Sequence, residues 1–403
     1  MSPTLSRFGL LWFTYFAGIG LFNTYAPLWF KALGMSTITI GAISALQAFT
    51  RMFAPYGWSW AADHGGHGVA LIRLATGGAL GCAALLWLLP LLAAWPPTAA
   101  AVAPWLVPAV VVLVAGLFIA NGGVVPLAEA ALSQLLITPQ GVDTGRYGRV
   151  RMWGSIGFIV SVTAAGFALQ ALGLPAWPPA VAALNLALVL TAWRLPVVGE
   201  PGRHAEPAPP VWPLLKRPEV AWFYASVFCT VLAHVSLYAF LSLYLDALGY
   251  GKAAVGGLWA VAVTCEIAFF YTQGQWLHRM SPHGWLKASS AVAALRFAAV
   301  ALGGQWAVVL VLAQASHAIT FAAQHGACIT LLARYFPGRL RGRGQALYTA
   351  LGYGLSGLVG GLGGGWLIEH AGYAAVFWAA AASALLGWAC AHRAERADTA
   401  ARA

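Results

Sequence analysis

Residues 8–30 read FGLLWFTYFAGIGLFNTYAPLWF, an apolar stretch that follows directly on Arg7 and contains no charged side chain. About 20 apolar residues in a helix span the roughly 30 Å hydrocarbon core of a bilayer. The stretch is too long for the apolar core of a signal peptide, and no small-residue cleavage site follows it. We therefore interpret it as a retained transmembrane helix.

Similar segments recur along the whole chain. Hydrophobic residues make up 60% of the 403 residues and charged residues only 8%, so lipid rather than water must cover most of the folded surface. The pattern predicts an all-α integral membrane fold of twelve transmembrane helices. Their predicted limits are 8–30, 38–60, 69–93, 104–134, 146–170, 176–194, 219–245, 253–276, 285–303, 306–333, 344–368 and 373–392.

The distribution of charge predicts the orientation. The net charge is +11, and 18 of the 22 Lys and Arg residues fall in loops and tails that are cytoplasmic if both termini are inside. Lys31 and Lys252 lie outside, and Arg51 and Arg296 lie within helices. An excess of Lys and Arg on the cytoplasmic side is typical of multi-pass membrane proteins. The basic charge is thereby explained without a nucleic-acid partner.

The five cysteines lie inside apolar runs without paired or metal-type spacing, so we expect neither a disulfide framework nor a metal site. Nothing in the sequence indicates an organic cofactor. We expect a monomer in the membrane.

A polar stretch divides the chain. Residues 195–218 read LPVVGEPGRHAEPAPPVWPLLKRP, rich in proline and charge as expected of a cytoplasmic linker. We therefore predict six-helix bundles at 1–194 and 219–403. A repeat supports the division, because a shift of 215 positions places six residues on identical ones: Leu28, Ala32, Leu33, Gly34, Gly41 and Ala45 on Leu243, Ala247, Leu248, Gly249, Gly256 and Ala260.

Four motifs carry a family resemblance: Phe8 to Leu33, NGGVVPLAEA at Asn121 to Ala130, YGRVRMWGSIGF at Tyr147 to Phe158, and RGRGQALY at Arg341 to Tyr348. On these the chain resembles the major facilitator superfamily, and within it the phenylpropionate-permease-like branch related to lactose permease, over essentially its whole length. The resemblance implies a pseudo-two-fold pair of bundles that alternate between inward-open and outward-open states, in the bacterial inner membrane.

SWAADHGGHG at Ser59 to Gly68 resembles the superfamily's loop between the second and third helices. The resemblance implies that Asp63 is a gating residue that stabilises one of the two conformations. The alternative is that Asp63 only caps a helix end.

Glu129 and Arg151 stand at the positions of the lactose-permease-like ion pair that binds substrate. A guanidinium can hold a carboxylate or hydroxyl groups with two parallel hydrogen bonds, and Glu can accept from the same ligand. The alternatives are a structural salt bridge, or an Arg151 that lies at the cytoplasmic border. Phe158 stands where the relative has a sugar-stacking Trp, which argues against a galactoside.

Glu266 and Arg296 resemble the relative's proton-coupling acid and its arginine. Burial favours the protonated form of an acid and a nearby arginine favours the ionised form, so the pair can load and release a proton. The repeat places Arg51 opposite Glu266; alternatively, Arg51 snorkels or pairs elsewhere. With Arg51, Arg151 and Arg296 against Glu129 and Glu266, the expected cavity has a charge of +1, which suits an organic anion.

Histidines are the remaining intramembrane groups that titrate near neutral pH. His317 and His325 on the tenth helix and His234 on the seventh are candidate proton or substrate groups, although each alone is more often an interior residue with its hydrogen bonds satisfied. On a regular α-helix, His317 and His325 would lie roughly 80° apart. On the first helix, Asn23 and Tyr25 are the better candidates for lining a cavity, because their polar atoms need partners.

We predict a proton-coupled symporter of a small organic solute, for which a phenylpropionate-like aromatic acid is the best single substrate. Oligosaccharide or nucleoside symport and drug efflux are the transport alternatives. A membrane-embedded enzyme or sensor is the alternative from another class, but no nucleophile-and-base pair or metalloprotease motif supports it, so we expect no enzyme. A channel would not need two similar halves.

Overall fold

The computed structural model describes residues 2–65, 67–138, 141–197 and 211–401. Residues 198–210 of the expected linker, which include Arg203, lie outside the described residues, as does Arg402. The described chain is helical apart from short connections and one antiparallel pairing of Ile137–Thr138 with Gly141–Val142. A one-turn helix, Trp212–Leu215, precedes the second half.

The long helices follow the predicted order. We label them α1 Pro3–Ala32, α2 Thr37–Gly65, α3 Gly68–Ala94, α4 Pro96–Leu135, α5 Thr144–Leu172, α6 Leu174–Trp193, α7 Pro218–Ala247, α8 Lys252–Arg279, α9 Pro282–Gly303, α10 Ala307–Tyr335, α11 341–371 and α12 Tyr373–Ala400. Several of these helices begin at a residue whose side chain caps the first turn. Before α5, Asp143 accepts a hydrogen bond from the Arg146 amide at 2.9 Å, a contact that the apolar pattern did not predict.

Ten of the described helices are long and apolar enough to cross a membrane; α2 and α11 have the length but a more polar composition. Large apolar side chains such as Leu74, Val112 and Leu295 are more than half exposed, which a soluble monomer rarely tolerates over a wide area. The protein is therefore a multi-pass membrane protein. The count of twelve spans stays a prediction.

The chain forms two compact units. Unit 1 comprises Met1–Met35, Thr50–His204 and Gly251–Gly256; unit 2 comprises Ser36–Phe49, Ala205–Tyr250 and Gly257–Ala403. Each has its own apolar core, with Phe8, Trp12 and Ile72 fully buried in the first and Phe223, Leu331 and Phe336 in the second. Unit 2 includes the first part of α2, up to Phe49, and unit 1 includes the first residues of α8, up to Gly256. The bundles at 1–194 and 219–403 stay a prediction.

Glycines explain why the first part of α2 packs in unit 2 and the first residues of α8 in unit 1. Within unit 2, a Cβ at Gly41 would collide with the Gly361 carbonyl oxygen, so the backbones of α2 and α11 are in direct contact there. Within unit 1, a Cβ at Gly256 would collide with the Val162 carbonyl oxygen of α5. Small residues are what allow such close approach of membrane helices.

Gly41 and Gly256 are also partners in the predicted repeat, and the turn before them is repeated as well. Gly34 and Gly249 have φ of 81° and 85°, a conformation that favours glycine. Met35 donates its amide to Phe30, and Tyr250 to Leu245, at 3.1 and 2.9 Å. The residues matched by the shift of 215 positions therefore form the same helix-ending turn in both places.

Helix α12 extends past its predicted end at 392 to Ala400. Ion pairs hold the extension: Lys287 Nζ of α9 lies 2.5 Å from Glu395, and Arg334 of α10 pairs with Asp398, which also lies 3.3 Å from His283 Nε2. The apolar pattern ends at the membrane, so it could not predict a polar helical extension.

Candidate functional site

The first group of site residues lies in unit 1 around Arg151, and we call Trp12, Tyr15, Phe16, Glu129, Tyr147 and Arg151 the Arg151 cluster. Trp12, Tyr15 and Phe16 are three and four residues apart, so they share one face of α1. The Arg151 guanidinium lies over the Phe16 ring, 4.1 Å from its centroid, and 5.2 Å from the Trp12 centroid. Cation–π contacts of this kind hold a guanidinium by its face and leave its edge donors available.

Two glycines of α5 bring Arg151 to this position. A Cβ at Gly154 would lie 2.7 Å from the Phe16 ring and 2.8 Å from an Arg151 terminal nitrogen, and a Cβ at Gly157 would collide with the Phe13 backbone. Helix α5 can therefore lie directly against α1 only because these positions lack side chains.

Glu129 of α4 accepts a hydrogen bond from the Tyr147 hydroxyl at 3.1 Å. Among the described residues, no ion pair joins Glu129 to Arg151, so the direct pair implied by the lactose-permease resemblance is not formed in this conformation. Tyr15 lies within electrostatic range of Arg51, Arg151 and Glu129. Arg51 itself is exposed on α2. The formal charges of Arg51, Arg151 and Glu129 sum to +1.

The other predicted residues of the first half have different surroundings. Tyr25 is fully buried and its hydroxyl donates to the Val162 carbonyl at 2.6 Å, so in this conformation it joins α1 to α5 and does not line a cavity. Phe158 is half-buried with its ring against Gly20 of α1, and Asn23 is half-buried. Asp63 is exposed in the last turn of α2 and makes no hydrogen bond or ion pair with any described residue.

The second group lies in unit 2, and we call His234, Glu266, Arg296, Gln314, His317 and Thr320 the Arg296 network. Arg296 of α9 is 3% exposed, and its terminal nitrogens donate to His317 Nδ1 at 3.0 Å, Thr320 Oγ1 at 3.0 Å and Gln314 Oε1 at 2.6 Å. The edge donors of Arg296, unlike those of Arg151, are thus hydrogen-bonded to protein acceptors. Its Nε finds no partner among the described residues.

The hydrogen bond from Arg296 determines which ring nitrogen of His317 carries a proton. Since an arginine only donates, His317 Nδ1 must accept, and a neutral His317 carries its proton on Nε2. That nitrogen lies 3.8 Å from Glu266 Oε2. The Glu266 side chain is 22% exposed, whereas that of His317 is 4% exposed. Glu266 is therefore the more accessible member of the pair.

His234 has both ring nitrogens engaged. Nδ1 lies 2.8 Å from the Thr230 carbonyl oxygen and therefore donates, and Nε2 lies 3.1 Å from the Thr320 hydroxyl and therefore accepts. Thr320 thus accepts from Arg296 and donates to His234. In this conformation both ring nitrogens of His234 are bonded to protein groups, and the ring links α7 to Thr320 of α10.

Helix α10 departs from the regular geometry assumed for its histidines. Ala318–Ala323 forms a π-helix, which often marks functional positions. His317 and Phe321 are stacked with 7° between their ring planes, and Phe321 and His325 with 14°. The prediction that His317 and His325 point roughly 80° apart is therefore wrong, because the π turns bring residues 317, 321 and 325 onto one face.

The sequence analysis missed Tyr147 and Thr320. Tyr147 is four residues before Arg151 in the same motif, and Thr320 is three residues after His317, so helical spacing was a usable signal for both. Among the described residues, no group of three or more His, Cys, Asp or Glu side chains is arranged to hold a metal.

Known proteins can now be compared with this arrangement. A model of the MFS_1 like family matches residues 5–379. A probable 3-phenylpropionic acid transporter of Escherichia coli (strain K12) is 28% identical over 390 residues, 93% of each chain. Among solved structures, the nucleoside transporter NupG has a TM-score of 0.81 at 18% identity, covering 97% of this chain and 99% of that one. A D-xylose-proton symporter has a TM-score of 0.68 at 13% identity, covering 96% and 95%.

The family match spans most of the chain, and the solved structures show the same fold. The chain belongs to the MFS_1 like family and is a transporter of the major facilitator superfamily.

Proposed function

We propose that the protein is a proton-coupled symporter of a small organic anion, for which an aromatic carboxylate such as a phenylpropionate is the best candidate. One observation carries the proposal: the Arg151 guanidinium is held by the faces of Phe16 and Trp12, and no described acceptor takes its edge donors. A carboxylate is the ligand that fits two such donors side by side.

Charge and aromatic content support the same substrate class. Around Tyr15, the positive charges of Arg51 and Arg151 outnumber the negative charge of Glu129, so a bound anion neutralises the excess of one positive charge. The rings of Trp12 and Phe16 contact the arginine and the Tyr15 ring packs edge-on against Phe16, and such rings suit a substrate that is apolar at one end. The 28% identical relative, named a probable 3-phenylpropionic acid transporter, favours an aromatic acid over a sugar.

The binding test is a thermal-shift comparison of 3-phenylpropionate with its uncharged amide, because a ligand of the native state raises apparent stability. We expect the acid to stabilise the purified protein and the amide to have no effect. Sugars and nucleosides belong in the same screen. Equal stabilisation by acid and amide would contradict recognition of the carboxylate by an arginine.

Proton coupling is assigned to the Arg296 network. Glu266 and His317 form a proton donor and acceptor pair at 3.8 Å, a separation that one small movement or a bridging water closes. Protonation of His317 at Nδ1 would break the hydrogen bond that this nitrogen accepts from Arg296. Uptake of a proton by His317 would therefore leave Arg296 with fewer hydrogen bonds to the network. This linkage of charge to side-chain position is what a symporter requires of its coupling site.

The remaining predictions complete the proposal. We propose twelve spans, arranged as a bundle at 1–194, a cytoplasmic linker at 195–218 and a bundle at 219–403, in an inner membrane with both termini inside. Asp63 is proposed as a gating residue: an acid in the last turn of a helix opposes the helix dipole, so its place in α2 is not explained by stability. Asp63→Asn should slow exchange of bound substrate without weakening its binding; unchanged exchange would remove Asp63 from gating.

A further inference from the structure

Three rings on α10 form a continuous stack that the coupling site alone does not require. Phe321 lies between two histidines, with its ring centroid 5.1 Å from that of His317 and 6.2 Å from that of His325. The ring planes are nearly parallel on both sides. Among the described residues, no hydrogen bond joins the two imidazoles, because the phenyl ring occupies the space between them.

A chain of hydroxyl groups continues from the far side of the stack. His325 Nδ1 lies 3.2 Å from the Tyr348 hydroxyl of α11, and that hydroxyl lies 3.3 Å from the Tyr353 hydroxyl. Imidazole and phenol groups both donate and accept, so a proton can move along such a chain by rearrangement of hydrogen bonds. His325 is eight residues nearer than His317 to the end of α10 that is cytoplasmic in the proposed topology.

On the near side, the hydrogen bond, ion pair and ring contacts of His317 within the described part of the chain are with groups of the coupling site or with rings. Glu266 lies 3.8 Å away, Arg296 donates at 3.0 Å, and the rings of His234 and Tyr238 have centroids 6.0 and 6.3 Å away. The two sides of the stack thus hold two separate sets of proton-carrying groups. Phe321 is the one member of the stack that cannot carry a proton.

We infer that Phe321 is the insulating residue of the proton path: its ring keeps the Glu266–His317 pair disconnected from the His325–Tyr348–Tyr353 chain until transport moves α10. This rests on the proposed proton coupling. A symporter that let protons pass without substrate would dissipate the gradient it uses, so a barrier between loading and release is a functional requirement. Phe321 and His325 are only half-buried, so water could fill the gap if the ring were absent.

The test is proton leak without substrate. Purified protein is reconstituted in vesicles with an internal pH dye, and a potassium diffusion potential drives protons inward. Vesicles with the wild-type protein should show no proton leak in the absence of substrate. Phe321→Ala should leak several-fold faster, since the space left by a phenyl ring exceeds the ~30 Å³ that one water takes in the liquid, and the two imidazoles supply polar partners. Phe321→Met, which nearly preserves volume, should stay tight.

Two controls separate insulation from loose packing. Phe269→Ala removes a half-buried ring of α8 that packs on Trp285 and is not a member of the stack, so this variant should not leak. The double variant Phe321→Ala with His325→Leu should return to wild-type tightness, because the release chain then lacks its first group. Phe321→Val serves if the alanine variant does not fold.

The inference is overturned if folded Phe321→Ala or Phe321→Val is as tight as wild type, if Phe269→Ala leaks equally, or if the leak persists without His325. Failure of proton coupling is recognised separately, since it appears in wild type as solute uptake without proton entry.

Discussion

Arg296 donates a hydrogen bond from its guanidinium to Nδ1 of His317 at 3.0 Å, and the opposite nitrogen of the same ring lies 3.8 Å from Glu266. One imidazole thus stands between the buried arginine and the partly exposed acid. A buried guanidinium without direct contact to a carboxylate costs several kcal/mol unless hydrogen bonds offset the lost hydration. Here His317, Gln314 and Thr320 accept hydrogen bonds from Arg296 and hold the guanidinium in position. Protonation of His317 at Nδ1 would remove one of these three bonds.

Replacing Glu266 with Gln should abolish concentrative uptake and leave exchange of bound substrate intact. The amide keeps the size of the side chain but cannot take up a proton, so the coupled step fails while the substrate site is preserved. The measurement is steady-state accumulation against counterflow in the same vesicles. Accumulation at the wild-type level would remove Glu266 from coupling.

Replacing Arg151 with Lys should weaken substrate binding by roughly 10- to 100-fold, equivalent to about 1.5 to 3 kcal/mol for hydrogen bonds to a charged group. An ammonium lacks the planar fork and does not stack on Phe16 in the same way. Arg149→Lys is the matched control, since Arg149 is exposed two residues earlier on α5. Equal affinities of the two variants, measured by ligand-induced thermal shift, would leave Arg151 only a structural role.

Replacing Gly154 with Ala should reduce binding without removing any charge. The added methyl must displace Phe16 or the Arg151 guanidinium, and forcing extra atoms into a packed site typically costs about 1 to 3 kcal/mol. Gly148→Ala meets nothing within 4 Å on the same helix and should be neutral. If both variants bind alike, the close contact of α5 with α1 does not position Arg151.

Replacing Thr320 with Val should destabilise the protein by about 1 to 3 kcal/mol, because the hydroxyl that joins Arg296 to His234 is lost inside the fold. Thr330→Val removes an exposed hydroxyl from the same helix and is the control. Unfolding temperatures in detergent report the difference. An unchanged temperature for Thr320→Val would mean that water replaces the missing group.

Much of the architecture was predictable because lipid forces apolar residues into long runs. The order of the helices, the turn repeated at Gly34 and Gly249, and the family all follow from the sequence. Helix α12 shows the limit of this signal, since its last residues are polar and are held by contacts with Lys287 and Arg334 that no hydropathy pattern contains.

The site was predictable in composition but not in pairing. Glu129 and Arg151 were found by their motif, yet Glu129 contacts Tyr147 and Arg151 contacts rings. Tyr25 was selected because a buried hydroxyl needs a partner, and that partner is the backbone of α5. The alignment of His317 with His325 depends on a π-helix, which arises from packing and leaves no period in the sequence.

In the proposed transport cycle, one anion bound at Arg151 is carried together with a proton handled by Glu266. It is tested most sharply by recording solute efflux and internal pH simultaneously in vesicles of purified protein, with an outward-directed substrate gradient and no imposed pH gradient. We expect 3-phenylpropionate that leaves wild-type vesicles to carry protons out and raise internal pH, and Glu266→Gln to show neither net efflux nor alkalinisation. Substrate efflux of equal rate with no pH change in wild type would contradict it.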